Sequence, residues 1–338
     1  MVVRCQTTPA GSLRWQIGFD VGLWPDHLSP WSGLSTVRNT ASGIALRLVR
    51  GDDAPSNCHR GWGSILGRPE GRASFFVSVM LSFRNGRSTE RLTGIHRDTI
   101  MRLMVEVGDG CAALHNEQMR NLSCRRIQCD EIWSYVKVKQ ANIMKGTPRA
   151  RIGDQWTFVA IDPDTKLVPA YLVGKRTRDN AVDFMFDLSD RLSNRVQISS
   201  DALRSYVDAV ERAFGADVDY GQIVKFYDAE PIGPGRYAPP QVTHAERTVI
   251  AGSPDPVHIS TSMVERQNLT MRMSMRRFTR LTNAFSKKFE NLQAAVALHF
   301  AHYNLVRLHK TTRVTPAMAA NVTDRLWSLE ELVDQTSK

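Results

Sequence analysis

The spacing of hydrophobic residues divides the chain into stretches of different character. Over residues 1–69 neither a helical period nor a strand alternation is sustained, and Trp15, Trp24, Trp31 and Trp62 are scattered among Gly, Pro, Ser and Arg. This stretch is expected to be irregular, and no role is assigned to it. An apolar run from Phe75 to Phe83 then leads into RNGRSTERLTGIHRDTIMRLMVEVG. There Ser88 can cap a short helix through Leu92, Gly94 permits a tight turn, and Arg97 or Asp98 opens a second helix. Ile100, Leu103, Met104 and Val107 recur at helical spacing and predict a buried stripe, which leaves His96, Arg97, Thr99 and Arg102 on the outer face. Residues 70–110 therefore carry a helix-turn-helix pattern, and 111–124 read as a helical connector.

From Arg125 the period changes from helical to β. In RRIQCDEIWSYVKVKQ, Ile127, Cys129, Glu131 and Trp133 fall on one side of a strand and Gln128, Asp130 and Ile132 on the other. QWTFVAI and KLVPAYLVGKR predict two more strands, joined through a turn that Asp162, Pro163 and Asp164 supply. Thr177 is placed to cap the helix RDNAVDFMFDLSDRL, whose buried face is predicted as Val182, Met185, Phe186 and Leu188. A strand RVQISS ends at Asp201. The helix ALRSYVDAVERAF, the apolar run QIVKFY and a Pro- and Gly-rich loop, AEPIGPGRYAPP, precede a long helical pattern, STSMVERQNLTMRMSMRRFTRL. The predicted order over 125–285 is three strands, helix, strand, helix, strand, loop, helix. Residues 286–338 form a helical extension in which Leu298, Phe300 and Leu305 read as core.

Composition narrows the possibilities. The chain has 338 residues, 42% of them hydrophobic, which is enough for a buried core in two or three domains. Lys and Arg outnumber Asp and Glu 44 to 34, a net charge of +10 that favours an anionic partner such as nucleic acid. No apolar run reaches the roughly 20 residues of a membrane span, and the first residues, MVVRCQTTPAGSLRW, lack the apolar core of a secretory signal. The expected location is cytoplasmic, with no membrane partner. The cysteines Cys5, Cys58, Cys111, Cys124 and Cys129 show no paired C-x-x-C spacing, so they are expected to be reduced and structural rather than disulfide-bonded or zinc-bound.

Three distant carboxylates carry the candidate chemistry. Asp130 lies on the first β strand of this region, Asp201 follows the fourth, and Glu265 sits near the start of the long helix. If the first and fourth strands are neighbours, Asp130 and Asp201 share a cluster that Glu265 can close from the side, and acids so crowded call for a divalent cation between them. Singly, each has a plainer role: Asp201 can cap the next helix, and Asp130 can be a polar strand residue beside the equally visible Glu131. Asp162 and Asp164 are explained by their turn. After Glu265, Leu269, Arg272, Arg276 and Arg280 return to one helical face, so a ladder of arginines is expected to take phosphates beside the acids. The alternative is a solvated basic face on which Glu265 pairs with Arg266 or Arg272. His299, His302, Tyr303 and His309 read as packing residues or DNA contacts in preference to metal ligands.

The segments IQCDEIWSYV, ISSDALRSYVDAV, VERQNLTMR and HFAHYNLVRLHKTTRVTPAMA resemble the catalytic part of insertion-sequence transposases of the insertion-element-1 family, over roughly Phe83 to Val333. The resemblance implies a ribonuclease-H-like α/β fold, a mixed sheet flanked by helices, preceded by an α-helical helix-turn-helix domain. It implies an Asp, Asp, Glu metal triad at Asp130, Asp201 and Glu265, with two Mg²⁺ ions or Mn²⁺ in their place. Arg272 matches a basic residue that often follows the Glu and contacts end DNA. The implied partners are the element's terminal repeats and target DNA, bound as a homo-oligomer, with the protein at the bacterial nucleoid when on DNA. Two departures stand out: the loop around Ala229 to Pro256 is an insertion, and the zinc-binding segment often found before the helix-turn-helix is absent. Two other activities fit the same residues, a catalytically inactive DNA-binding repressor of the element and a ribonuclease-H-like nuclease.

Overall fold

The computed structural model describes residues 86–144, 146, 150–228, 241–279 and 284–336, together with the strands at 2–7, 13–18, 36–37 and 46–47. The chain divides into two units, Met1–Leu66 and Gly67–Lys338. In the first, β1 (Val2–Thr7) pairs antiparallel with β2 (Leu13–Gly18), and β3 (Thr36–Val37) with β4 (Leu46–Arg47). The stretch expected to be irregular thus contains paired backbone, and in β2 Leu13, Trp15 and Ile17 alternate with Arg14 and Gln16. The apolar run from Phe75 to Phe83 lies outside the described residues.

The second unit is built on a six-stranded mixed sheet in the order β10-β9-β8-β5-β6-β7. Its strands are β5 (Arg126–Val136), β6 (Gly153–Ile161), β7 (Tyr171–Gly174), β8 (Val196–Asp201), β9 (Val218–Asp228) and β10 (Gln241–Ala251). β5, β6 and β7 form an antiparallel meander, while β8 runs parallel to β5 and β9 parallel to β8. This order is consistent with a ribonuclease-H-like sheet, and it makes the first and fourth strands of the region neighbours. The turn after β6 forms as expected, with Asp162 Oδ1 accepting from Asp164 N at 2.8 Å and Oδ2 from Thr165 Oγ1 at 2.7 Å. Pro169, unable to donate to a ladder, precedes a β7 of only four residues where a longer strand was expected.

One correction concerns the segment read as an inserted loop at 229–256. Much of it is β10, an 11-residue edge strand antiparallel to β9. Its residues 242–250 are exposed, so no core-facing alternation was available to reveal it; the backbone ladder with β9 defines the strand instead. β9 meets β8 only through Ile223, opposite Asp201, and its remaining residues pair with β10 alone.

Helices cover both faces of the sheet. On one side lie α3 (Arg178–Ser189) and α4 (Arg204–Phe214). Thr177 caps α3 as expected, its hydroxyl accepting from Asn180 N at 3.4 Å. The buried face of α3 is Ala181, Phe184, Met185 and Leu188; Phe186, expected inside, is 45% exposed, because Phe184 takes the core position against Phe158 of β6. On the other side lie α5 (Ser262–Ser274) and α6 (Phe289–Ala301), followed by α7 (Pro316–Ala319) and α8 (Leu329–Thr336). With helices on both faces, β5 buries both sets of its side chains, Ile127 and Cys129 on one and Gln128 and Ile132 on the other.

The helix pair before the sheet is α1 (Gly86–Thr93) and α2 (Arg97–Gln118). α1 begins at Gly86, so Ser88 lies inside it rather than at its cap. Gly94 takes the left-handed conformation, φ 71°, that the turn requires, and His96 caps α2 by accepting from Asp98 N at 3.3 Å. The predicted stripe is in place: Ile100, Met104 and Val107 are buried, and Leu103 packs against the core. The stretch expected to be a helical connector is helical for most of its length, as a continuation of α2. The helix continues to Gln118 and packs against α6 and α8, because Cys111, Leu114 and His115 extend its apolar face. Contact with α6 is close enough that a Cβ on Gly108 would lie 2.6 Å from the Ala294 Cβ. Cys111, Cys124 and Cys129 are free and buried, as expected.

His115 is buried on α2, with Nε2 donating to Val168 O at 3.1 Å and its ring edge-on to Tyr171. Burial, aided by Arg191 and Arg120, holds its pKa down to about 3, against 6.5 for a free histidine. Between those values the unfolded chain binds the proton and the folded one does not, so stability falls as the pH drops through this window, by up to about 1.4 kcal/mol per pH unit. In His115→Gln this contribution is absent. Urea denaturation of both proteins between pH 7 and pH 4 should show the variant's stability declining less steeply, by about 1 kcal/mol per unit; parallel curves would refute the assignment.

Candidate active site and basic cleft

The parallel register of β5 and β8 sets Cys129 opposite Ser200. One residue further on, each strand carries an aspartate, so Asp130 and Asp201 come level at the carboxyl end of the pair. Adjacent residues of a strand point to opposite faces. Asp130 turns toward α5, where Asn268 Nδ2 donates to its Oδ2 at 2.8 Å. Glu131 turns toward α4, where Tyr206 OH donates to its Oε2 at 3.2 Å. Asp201 lies at the strand end within reach of both, and oxygens of Asp130, Glu131 and Asp201 lie within 4.8 Å of one another. Asp201 Oδ1 also accepts from Leu203 N at 3.2 Å at the entry to α4, so its capping role and its place in the cluster coexist.

Crowding and burial act on these acids in the same direction. Burial and the Asp201 charge push Asp130 up to about 6, against the donors from Glu131 N and Asn268. Burial and the same charge push Glu131 up to about 7, although Arg176 opposes them. Asp201 is raised as well, chiefly by burial. Arg176 answers part of this charge: it forms an ion pair with the almost fully buried Glu131, lies 3.9 Å from Asp201, and stacks its guanidinium 4.8 Å from the Trp156 ring centre, and Lys225 also acts to lower Asp201.

Glu265 is placed differently from its sequence expectation. It is near the start of α5, but its side chain is 45% exposed, and it stands outside the trio that meets the 4.8 Å spacing. Its carboxylate pairs with Lys225 of β9 and accepts from Thr261 Oγ1 at 2.6 Å. Its charge still contributes, as a minor cause, to raising Asp130 and Asp201, so it lies near the site without joining the cluster. Glu131 and Arg176 were not assigned to the site from sequence. Adjacency to Asp130 was the one signal for Glu131, and Arg176, between β7 and α3, had none. The donor set suits a hard divalent cation: carboxylate oxygens close enough to repel, raised in pKa by burial and by one another's charge.

The arginine ladder does not form as expected. α5 ends at Ser274, and Met275 is extended, φ −120° and ψ 111°. A separate 3₁₀ turn, Arg276–Phe278, follows, anchored by the buried Phe278. Arg272 is on α5 and partly buried, Arg276 has left its helical face, and Arg280 lies outside the described residues. What the turn does instead is bring Arg276 and Arg277 to the α2 side of the unit. There they line a cleft of about 910 Å³ with Arg97, Arg102, Lys287 and Lys288. Thr99 is exposed on α2 but does not line it. Two sets of basic residues far apart in sequence thus share one surface. The histidines of the carboxyl-terminal region pack: His299 is buried beside Phe300 and Tyr303, and His309 lies edge-on to Tyr303. Among the described residues, none of them joins a cluster with metal-ligand spacing.

No family model matches the chain, and no characterised relative matches it. Among solved structures, a chain of the simian T-cell lymphotropic virus intasome in complex with PP2A regulatory subunit B56 gamma is 13% identical, covers 75% of this chain and 76% of its own, and has a TM-score of 0.35. The Mos1 transposase paired-end complex with left transposon end is 15% identical over 41% of this chain and 56% of its own, with a TM-score of 0.17. The Mos1 strand transfer complex is 13% identical over 68% and 76%, with a TM-score of 0.21. Likenesses this slight do not bear on what the chain does. No helix among the described residues is long and apolar enough to cross a membrane.

A divalent cation at this cluster would compete with Arg176 for the same acids, which gives a directional test. Mn²⁺ titration followed by electron paramagnetic resonance should show Asp130→Asn binding at least about tenfold more weakly than the unaltered chain, a loss of about 1.4 kcal/mol or more. Arg176→Ala should bind several-fold more tightly, because Glu131 and Asp201 lose their internal counter-charge. Weaker binding in Arg176→Ala would show that the arginine organises the acids and does not oppose the ion.

Proposed function

We propose that the chain is a DDE-type polynucleotidyl transferase, an insertion-sequence transposase that binds element ends and carries out metal-dependent strand cleavage and strand transfer on duplex DNA. The observation that carries this reading is the β5–β8 register, which sets Asp130 beside Asp201; Glu265, at the start of α5 and near enough for its charge to raise both, is proposed as the third acid. The cleft lined by Arg97, Arg102 and Arg276 supports a polyanionic substrate for that site.

In this reading Asp130, Asp201 and Glu265 would hold two Mg²⁺ ions, with Mn²⁺ as a substitute. Bound there, such ions supply Lewis-acid stabilisation of charge on phosphate oxygens and a water acidic enough to attack at neutral pH. The protein's own groups do the positioning. Asn268 fixes one oxygen of Asp130, Leu203 N fixes one of Asp201, and Arg176 with Tyr206 keeps Glu131 turned to the α4 side. Lys225 and Thr261 hold Glu265 at the mouth of the site. On the α2 side, Arg97 and Arg102, exposed at the start of the second helix, would serve as the reading surface of a helix-turn-helix. Water is the nucleophile for the first cut, and the freed 3′-hydroxyl attacks target DNA in the same site. The chain is expected to act as a homo-oligomer on paired ends, and Thr99, Arg272 and Arg280 remain proposed DNA contacts.

The test is incubation with paired element ends and Mg²⁺ or Mn²⁺, scoring nicking and joining separately. Asp130→Asn, Asp201→Asn and Glu265→Gln should each abolish both while leaving end binding intact. Arg97→Ala with Arg102→Ala should instead weaken end binding, with about 1–3 kcal/mol of discrimination lost at a contacted base pair. Near-normal cleavage by any of the three acid variants would remove that residue from the triad. Binding without cleavage by the unaltered chain would identify it as a repressor, and cutting indifferent to element ends as a general nuclease.

A further inference from the structure

The break in the helix after Glu265 gives a residue outside the expected ladder the most telling position. Arg277 is the middle residue of the Arg276–Phe278 turn, and the burial of Phe278 turns it toward α2. There its Nη2 lies 3.4 Å from the Met104 sulfur. A thioether is a weak acceptor and no counter-ion. Among the described residues no carboxylate lies within ion-pair distance of Arg277. Two of the acids lining the same cleft are already engaged, Glu290 by Arg151 at 2.8 Å and Asp98 by Arg97 at 3.7 Å. Burial lowers the Arg277 pKa to about 10, which leaves it charged at neutral pH. A partly buried cation without an anion is costly to maintain. Here it is maintained next to Arg97, Arg102, Arg276, Lys287 and Lys288.

We infer that Arg277 is a phosphate seat for a nucleic-acid backbone, the innermost contact of a track that runs through the cleft between α2 and the turn after α5. The inference rests on the DNA-processing reading of the neighbouring acids but assigns the contact to a residue that helical spacing did not select. A phosphodiester matches the site chemically, because the planar guanidinium donates two parallel hydrogen bonds to its two non-bridging oxygens. A small anion matches it poorly. The cleft is about 910 Å³ and open, and its cations are spread along it, so a single phosphate would leave most of them unpaired. The Met104 contact adds a second consequence: the side chain beside Arg277 is already apolar, so a methionine at 277 would pack there and relieve the free protein of a desolvated charge.

The experiment uses the full chain and a fluorescein-labelled 40-base-pair duplex of arbitrary sequence, with binding followed by anisotropy across a KCl titration. Arg277→Met should bind at least tenfold more weakly at 0.1 M salt and lower the log–log salt slope by roughly 0.9, one phosphate contact. Its melting temperature should equal or exceed that of the unaltered chain. Arg277→Lys, which keeps the charge but not the fork, should keep the slope and lose part of the affinity; Arg277→Gln replaces the methionine variant if that one does not fold. An unchanged slope in the neutral variant overturns the inference, as does displacement of the duplex by inorganic phosphate at matched ionic strength, which would mark a small-anion site. If the unaltered chain itself shows no salt-dependent duplex binding, the DNA-processing reading has failed, and not merely the role of Arg277.

Discussion

The pairing of β5 with β8 is the constraint around which the rest is arranged. A parallel ladder in this register leaves two aspartates level at its carboxyl end, and Glu131 adds a third acid from the next position. Buried like charges at this spacing are unfavourable unless something answers them. The surrounding elements each provide an answer: α5 offers the Asn268 amide, the entry to α4 a backbone N–H and the Tyr206 hydroxyl, and the segment after β7 the Arg176 guanidinium. These answers are partial, since Asp130 and Glu131 remain raised to about 6 and 7. A site left short of positive charge in this way is suited to a ligand that brings its own.

The opposite imbalance occupies the cleft by α2. There cations gather and acids are few. The two regions are joined through α5, whose first turn carries Glu265 and whose end delivers the chain to Arg276 and Arg277. The two imbalances are opposite in sign: like-charged acids crowd at one region and cations gather at the other. Lys225 belongs to the part of β9 near the edge of the sheet, and it pairs with Glu265 beside the acids.

Much of this arrangement was legible in the sequence, and what was not has identifiable causes. The strand and helix order from β5 to α5 followed from period and turn chemistry, as did the capping roles of Thr177 and the turn at Asp162. The edge strand β10 escaped because its exposed side chains carry no alternation. Phe186 was placed inside because a helical stripe one position wide of the true one is almost as apolar; packing of Phe184 on Phe158 decided between them. The arginine ladder failed at Met275, where an extended residue ends the period on which the prediction depended. Glu131 and Arg176 meet only through the fold, across 45 residues of chain, and no local pattern relates them.

The second helix of the hairpin has a mechanical consequence of its own. α2 is a single helix of 22 residues, about 33 Å long. Its first turns present Arg97 and Arg102, and the remainder is clamped by α6 and α8 with the Gly108 backbone against Ala294. No hinge interrupts it, so Arg97 and Arg102 are carried by a rod that is fixed to the core along the rest of its length. A ligand that meets those two arginines meets a stiff surface: the side chains can turn, but the backbone that spaces them is held by close packing, and a misfit must be taken up by the ligand's own shape.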